Sequence, residues 1–249
     1  MPPRFFAPDA GAEGDRVTLP EDEGQHLTRV LRLGAGDPVH VFNGRGDEFE
    51  AVVETADRAS VGVLIGKACR AAPEPGLSIA LAQAVLKGDK MDAVVRDAVM
   101  IGATAIHPIL TSRTEVPSTA FENGRRRDRW ARVAVSSAKQ CGRAVVPPVS
   151  EPVSLEALAQ KLLESWMTGP ALMLVEPGAS RKAVPLGELE VEPPRTATVI
   201  VGPEGGWAPD EVQLGSNACR LVTLGERTLR ADSMALVALA AVFTAWGEF

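Results

Sequence analysis

The stretch from Ala197 to Ala241 gathers the residues best suited to hold a ligand. Thr198 to Val201 is a β-branched run suited to a buried strand. G-P-E-G-G at 202–206 ends it with residues that let the backbone turn and bring peptide groups close to a ligand. Ala208-Pro209-Asp210-Glu211 reads as a helix start, with proline in the first turn and two carboxylates at the positive end of the dipole. A second short strand, Leu221 to Leu224, ends at Gly225, and the loop from Glu226 to Arg230 leads into a helix that Asp232 or Ser233 would cap. Two glycine-bearing loops leaving the carboxyl ends of neighbouring strands are the usual place for a ligand in an α/β sheet. On spacing alone, GPEGG is more often a tight turn. Neither G-x-G-x-x-G after a first strand nor G-x-x-x-x-G-K-[ST] occurs, which argues against a Rossmann dinucleotide site or a P-loop.

Other reactive side chains are sparse. Cys69, Cys141 and Cys219 are odd in number and far apart, so they make neither a disulfide framework nor a zinc knuckle and suit a reducing compartment. His26, His40 and His107 lack metal-binding spacing, and no metal is expected. The chain carries a net charge of -6, but unevenly: residues 77–150 hold 11 basic and 6 acidic side chains, a local excess of +5. Its densest part, Arg125-Arg126-Arg127-Asp128-Arg129 with Arg132, continues along one helix to Lys139 and Arg143. Such a run is usually a solvated helix face, and it is also the footprint a phosphate backbone requires.

The elements that must position these residues fall into two sets. A chain of 249 residues with 45% hydrophobic content suits two domains with real cores. No apolar run is long enough to span a bilayer and Met1 to Phe6 has no secretory h-region, so a cytoplasmic protein is expected, with no membrane partner. Up to residue 70 the segments are short and strand-like, at Val39 to Phe42, Phe49 to Val53 and Val61 to Ile65, with Asn43-Gly44-Arg45-Gly46 as a hairpin turn. One helix, Glu21 to Leu33, is closed by Gly34 and turns Leu27, Val30 and Leu31 inward. This reads as a small β-barrel-like module over residues 1–70, followed by a linker at 71–76. From 77 to 249 strands alternate with helices near Asp89 to Ile101, Arg127 to Cys141, Leu155 to Trp166, Pro209 to Asn217 and Ser233 to Trp246. That alternation gives a mostly parallel α/β sheet covered on both faces.

Six motifs, in order along nearly the whole chain, carry a resemblance: P-R-F-F at 3–6, H-L-T-R-V-L-R-L-G-A-G-D at 26–37, L-K-G-D-K-M-D at 86–92, K-Q-C-G-R at 139–143, G-P-E-G-G at 202–206 and L-G-E-R-T-L-R-A-D-S at 224–233. Together they resemble the bacterial 16S ribosomal RNA (uracil-1498-N3)-methyltransferase family. The resemblance implies a PUA-like RNA-binding barrel followed by a SPOUT methyltransferase domain with a deep C-terminal trefoil knot, working as a homodimer on 16S rRNA in the small ribosomal subunit. Spacing would not have implied a knot.

The resemblance also implies S-adenosylmethionine as cofactor, held by three loops. These correspond to Val175 and Glu176; Gly202, Pro203, Glu204, Gly205 and Gly206; and Leu224 and Gly225, with Leu224 and Leu229 as apolar walls. Methylation at uracil N3 requires loss of the ring proton. Arg230 is the candidate to pair with a uracil oxygen as charge develops, and Asp232 the candidate proton acceptor or, equally, a plain helix cap. Relatives carry R-T-E-T where this chain has Arg230-Ala231-Asp232-Ser233, a shorter carboxylate. Cys141, near Lys139 and Arg143, would matter only for a covalent mechanism, which N3 methylation does not need. The expected RNA contacts are Arg4, Arg29, Arg32 and Arg45 in the barrel and Arg125, Arg126, Arg127, Arg129 and Arg143 beyond it. Another SPOUT RNA methyltransferase, for instance of a ribose 2'-hydroxyl, and a non-catalytic RNA-binding assembly factor are the alternatives.

Overall fold

The computed structural model describes residues 2–57, 60–164, 169–188 and 192–249. The chain divides into two compact units, Met1–Glu74 with Val135–Val146, and Pro75–Ala134 with Pro147–Phe249.

The first unit contains β1 (Arg4–Phe6), β2 (Arg16–Thr18), α1 (Glu21–Gln25), β3 (Pro38–Phe42), β4 (Glu48–Ala56) and β5 (Val61–Cys69). Its sheet has the order β1-β3-β4-β5-β2, and it is curled into a half-barrel. Alternation builds its core: Phe49, Ala51 and Val53 of β4 join Val61, Val63 and Ile65 of β5 in one buried cluster with Phe5, Leu27 and Val41. The β3–β4 hairpin turns at Gly44 and Gly46, both with positive φ.

The expected helix over Glu21–Leu33 is corrected. α1 stops at Gln25, and His26–Val30 forms a π-turn, closed at Leu31. The wider turn rotates the following positions, so Leu27 stays buried while Val30 and Leu31 are 64% and 40% exposed. Arg32, with φ 57°, takes the left-handed position expected of Gly34.

The second unit contains β6 (Ser78–Ala84), α2 (Lys90–Ile101), β7 (Ala105–Leu110), α3 (Arg125–Cys141), β8 (Val153–Ser154), α4 (Leu155–Leu163), β9 (Ala171–Leu174), β10 (Val184–Pro185), β11 (Thr196–Val201), α5 (Pro209–Ala218), β12 (Arg220–Thr223) and α6 (Ala231–Ala245), α3 giving its last residues to the first unit. The end expected for α4 at Trp166 lies outside the described residues. All seven strands are parallel, in the order β10-β12-β9-β11-β6-β7-β8. α4 and α5 pack together, and their Leu155, Leu158 and Val212 share a core with Met173, Ile200 and Leu221 of the sheet. α6 packs on α2, β6 and β11. Strand runs such as Ala171–Leu174 are apolar throughout because both faces are covered.

Within the first unit, basic side chains fasten the end of α3. Arg4 makes a two-pronged pair with Glu48, at 2.9 and 2.7 Å. It also donates to the carbonyls of Ala138 and Lys139 in the last turn of α3, where helix carbonyls lack an i+4 partner within the helix, and to that of Arg143 just beyond it. Lys139 pairs with Glu23 at 2.6 Å, and Arg143, 4% exposed, pairs with Glu74. The phosphate contacts expected of Arg4 and Arg143 are therefore corrected: both guanidiniums are committed to the protein's own carboxylates and carbonyls.

Candidate active site

Strands β12, β9 and β11 are neighbours in register, with Val222 beside Leu174 and Ile200 beside Met173, so their carboxyl ends share one edge. The chain leaves β9 at Val175-Glu176, β11 at Gly202 and β12 at Leu224, and these exits surround a cavity of about 300 Å³. Among the expected site residues, Val175, Glu176, Gly202, Pro203, Glu204, Leu229, Arg230 and Asp232 line it. Gly205, Gly206, Leu224 and Gly225 shape the loops without lining it. Lys90, Trp207 and Met234 also line the cavity, and sequence reasoning does not single them out. Trp207 directly follows GPEGG, and Lys90 lies in the L-K-G-D-K-M-D motif. Neither position announces that its side chain turns toward a loop distant in sequence.

The glycines do separate jobs. A Cβ on Gly202 would stand 2.9 Å from the Trp207 indole, whose Nε1 donates to Leu174 O at 2.7 Å, so the absent side chain lets the ring lock two of the loops together. Gly206 closes the turn on Pro203 O at 3.0 Å with φ 68°, and a Cβ there would collide with the Glu176 carboxylate. Gly225 has φ 70° and open space around it, so only its backbone conformation demands glycine. The loop is also held from outside. Arg113 donates to Gly205 O at 2.9 Å, and Gln83, fully buried, donates to Gly202 O at 3.2 Å. Buried Glu211, in the first turn of α5 as expected, accepts from Ala208 N at the helix N-terminus and from Ser112 N at 2.8 and 2.7 Å, so it faces the positive end of the dipole and also straps the helix to the loop after β7.

Five ionisable side chains line the cavity, and four of them pair. Lys90 Nζ lies 2.9 Å from Glu204 Oε1, which also accepts from Lys87 N at 3.2 Å. Burial pushes the Glu204 carboxyl up, but the Lys90 ammonium and the backbone donors outweigh it and hold the group below its ordinary range. Arg230 Nε lies 3.4 Å from Asp232 Oδ1, with side chains 75% and 27% exposed. Asp232 does not cap the helix: α6 begins at Ala231, after Arg230, and beyond the Arg230 pair the Asp232 carboxylate accepts from the adjacent Ser233 N at 3.1 Å. The Glu176 side chain has no hydrogen bond or ion pair among the described residues.

The model of an RNA methyltransferase domain matches residues 73–243, and that of an RNA methyltransferase PUA domain matches residues 19–65. The chain is 30% identical over 229 residues to the ribosomal RNA small subunit methyltransferase E of Synechocystis, covering 91% of this chain and 72% of that one. The chain belongs to the ribosomal RNA small subunit methyltransferase E family. A family member from Neisseria gonorrhoeae, solved bound to S-adenosylmethionine, superposes with a TM-score of 0.87 at 31% identity over the full length of both chains. A Legionella pneumophila methyltransferase solved with the same cofactor gives 0.88 at 30% identity over 98% of each.

The arginines considered for RNA are distributed unevenly in this member of the family. Arg29 and Arg32 are exposed on either side of Val30 and Leu31. Arg45 is exposed but donates to Pro8 O at 2.7 Å. Arg125 opens α3 on the surface, and Arg126 sits over the Phe121 ring at 5.8 Å. Arg127 pairs with Asp128 and Glu151, and Arg129 with Asp89 and Asp92, in exposed contacts that a phosphate can replace at little cost. Cys141 donates to Ala138 O at 3.7 Å, and its cationic neighbours are engaged by Glu23 and Glu74, so no nucleophile is prepared there. His40, Glu48 and Cys69 bring three potential metal-ligand atoms within 4.8 Å, but Arg4 already occupies both Glu48 oxygens. Among the described residues no helix is long and apolar enough to cross a membrane.

Proposed function

We propose that the chain transfers the methyl group of S-adenosylmethionine to N3 of uridine 1498 of 16S rRNA in the small ribosomal subunit, as a cytoplasmic homodimer. The observation that carries this reading is the cavity at the shared edge of β12, β9 and β11, where the three loops expected to hold the cofactor meet Arg230 and Asp232. Its donor set fits the group. Val201, Trp207, Leu229 and Met234 supply apolar surface for an adenine, and the GPEGG backbone offers peptide groups at close range. When bound, the sulfonium supplies an electrophilic methyl. The protein must then present a deprotonated N3 in line with it, a task of positioning and charge stabilisation. Arg230 is exposed enough to meet a uracil oxygen, and Asp232 stands beside it to accept the N3 proton directly or through water. The same ion pair orients both groups.

The half-barrel of residues 1–70 would serve RNA binding, 71–76 the connection and 77–249 catalysis, with Arg29, Arg32, Arg45, Arg125, Arg126, Arg127 and Arg129 as phosphate partners. The target base must be unstacked to expose N3. The knot is supported by strand order, since the chain leaves β9 for β10 at the sheet edge, crosses back to form β11 on the other side of β9, and returns to lay β12 between β10 and β9. The homodimer is supported by α6, apolar on nearly all sides, with Leu236 and Val237 exposed beside the buried Ala235 and Ala238.

The test incubates the purified protein with labelled S-adenosylmethionine and small subunits lacking the modification, then identifies the labelled nucleoside by mass spectrometry. N3-methyluridine at one position is the expected product. A 2'-O-methylated nucleoside would replace the target, and cofactor binding without transfer would identify an assembly factor instead.

A further inference from the structure

The charges of the cavity do not cancel. Its ionisable lining consists of Lys90, Glu204, Arg230, Asp232 and Glu176. Lys90 neutralises Glu204 and Arg230 faces Asp232, leaving one carboxylate, Glu176, without a partner among the described residues. This carboxylate is held at the cavity wall by shape: it packs against Gly206 where any side chain would displace it, and it follows directly on β9 and buried Val175. An unpaired carboxylate in a half-enclosed site attracts a cation more strongly than it would in open water.

Resting on the reading that S-adenosylmethionine occupies this cavity, we propose that Glu176 is a specificity-determining residue that lets the protein favour the cationic cofactor over its neutral product. The amino and carboxylate groups of the cofactor's methionine part cancel, so the sulfonium is its one uncompensated charge. After methyl transfer the sulfur is a neutral thioether, and S-adenosylhomocysteine has no net charge. A cavity of net charge -1 therefore holds the methyl donor and loosens its grip on the spent product. Lys90 tempers the effect: without it the Glu204 carboxylate would add a second uncompensated charge.

Two variants should therefore move in opposite directions. Titration calorimetry on the full chain, with each ligand separately, reads them. Glu176→Gln, which keeps shape and removes charge, weakens S-adenosylmethionine about 10-fold and S-adenosylhomocysteine less than about 2-fold, from the loss of one short-range charge interaction. Lys90→Met raises the preference for the cationic ligand about 3-fold above that of the unaltered protein, a smaller change because Glu204 is partly exposed. Added salt shrinks the preference of the unaltered protein and leaves that of the Glu176→Gln variant flat. Equal loss for both ligands in Glu176→Gln would mean that the carboxylate serves the amino group or the ribose, and no loss would mean that it serves neither; each overturns the proposal. If Glu176→Gln fails to fold, judged by its ligand-free unfolding midpoint, Lys90→Met decides: an unchanged or lowered preference overturns the proposal. An unaltered protein that binds neither ligand refutes the cofactor reading itself, a result distinct from any change in ratio.

Discussion

Gly206 and Gly225 both hold a positive φ, yet their surroundings make them unequal. A methyl on Gly225 meets open space, so Gly225→Ala costs only the left-handed backbone, about 1–2 kcal/mol. A methyl on Gly206 incurs that same strain and also strikes the Glu176 carboxylate, which must leave its place at the cavity wall. Gly206→Ala is therefore expected to lose S-adenosylmethionine binding by about 10-fold or more while Gly225→Ala stays within about 3-fold, for a similar fall in stability. Urea unfolding beside calorimetry checks this, and equal binding losses would show that Gly206 serves only the turn. Gly202 is different again, since its backbone is ordinary and its constraint is the indole of Trp207. The sequence marks all three positions as glycine without distinguishing strain from close approach, because that distinction depends on neighbours far along the chain.

At the scale of elements, α2, α5 and β11 are legible because their apolar spacing and their Pro or Gly boundaries are local properties. The π-turn is not, since Leu27, Val30 and Leu31 fit an α-helical stripe equally well and only the tertiary packing decides how the turn winds. β1 and β2, three residues each, carry too little pattern to be read, and β8 and β10 are shorter still. The fastening of α3 is hidden for the same reason: a basic residue at position 4 looks like a surface charge until Glu48, two carbonyls of the last turn of α3 and the Arg143 carbonyl just beyond it are seen around it. Arg4→Met should be destabilising, by about 3 kcal/mol, because buried Glu48, 5% exposed, loses its two-pronged guanidinium partner and among the described residues keeps only His40, with Nδ1 3.4 Å away, as a neighbour of opposite charge when protonated. The double variant Arg4→Met with Glu48→Gln should recover part of that loss in urea unfolding. If Arg4→Met unfolds like the unaltered protein, the pair is not holding the end of α3.

For the molecule as a whole, the net charge of -6 opposes a polyanion, so productive binding of RNA depends on where the positive charge is concentrated. The excess of +5 over residues 77–150 includes the first turns of α3, which belong to the same compact unit as the cavity. Arg126 and Arg129 are accessible there, and the carboxylate partners of Arg129 are themselves partly or fully exposed. Removing one phosphate-binding cation should flatten the dependence of log affinity on log salt by about 0.7–0.9, so Arg126→Glu with Arg129→Glu should reduce the slope by about 1.5. Arg16→Glu serves as the comparison, since it changes the net charge per substitution equally at an exposed position, side chain 70% exposed, in the first unit. If affinity responded only to net charge, one reversal at Arg16 would flatten the slope half as much as the α3 pair. If the α3 arginines meet phosphates, the Arg16 slope stays close to that of the unaltered protein and only the α3 variant is flattened. An α3 variant with an unchanged slope would make its arginines a solvated helix face, and RNA binding would have to rest on Arg29, Arg32 and Arg45 instead.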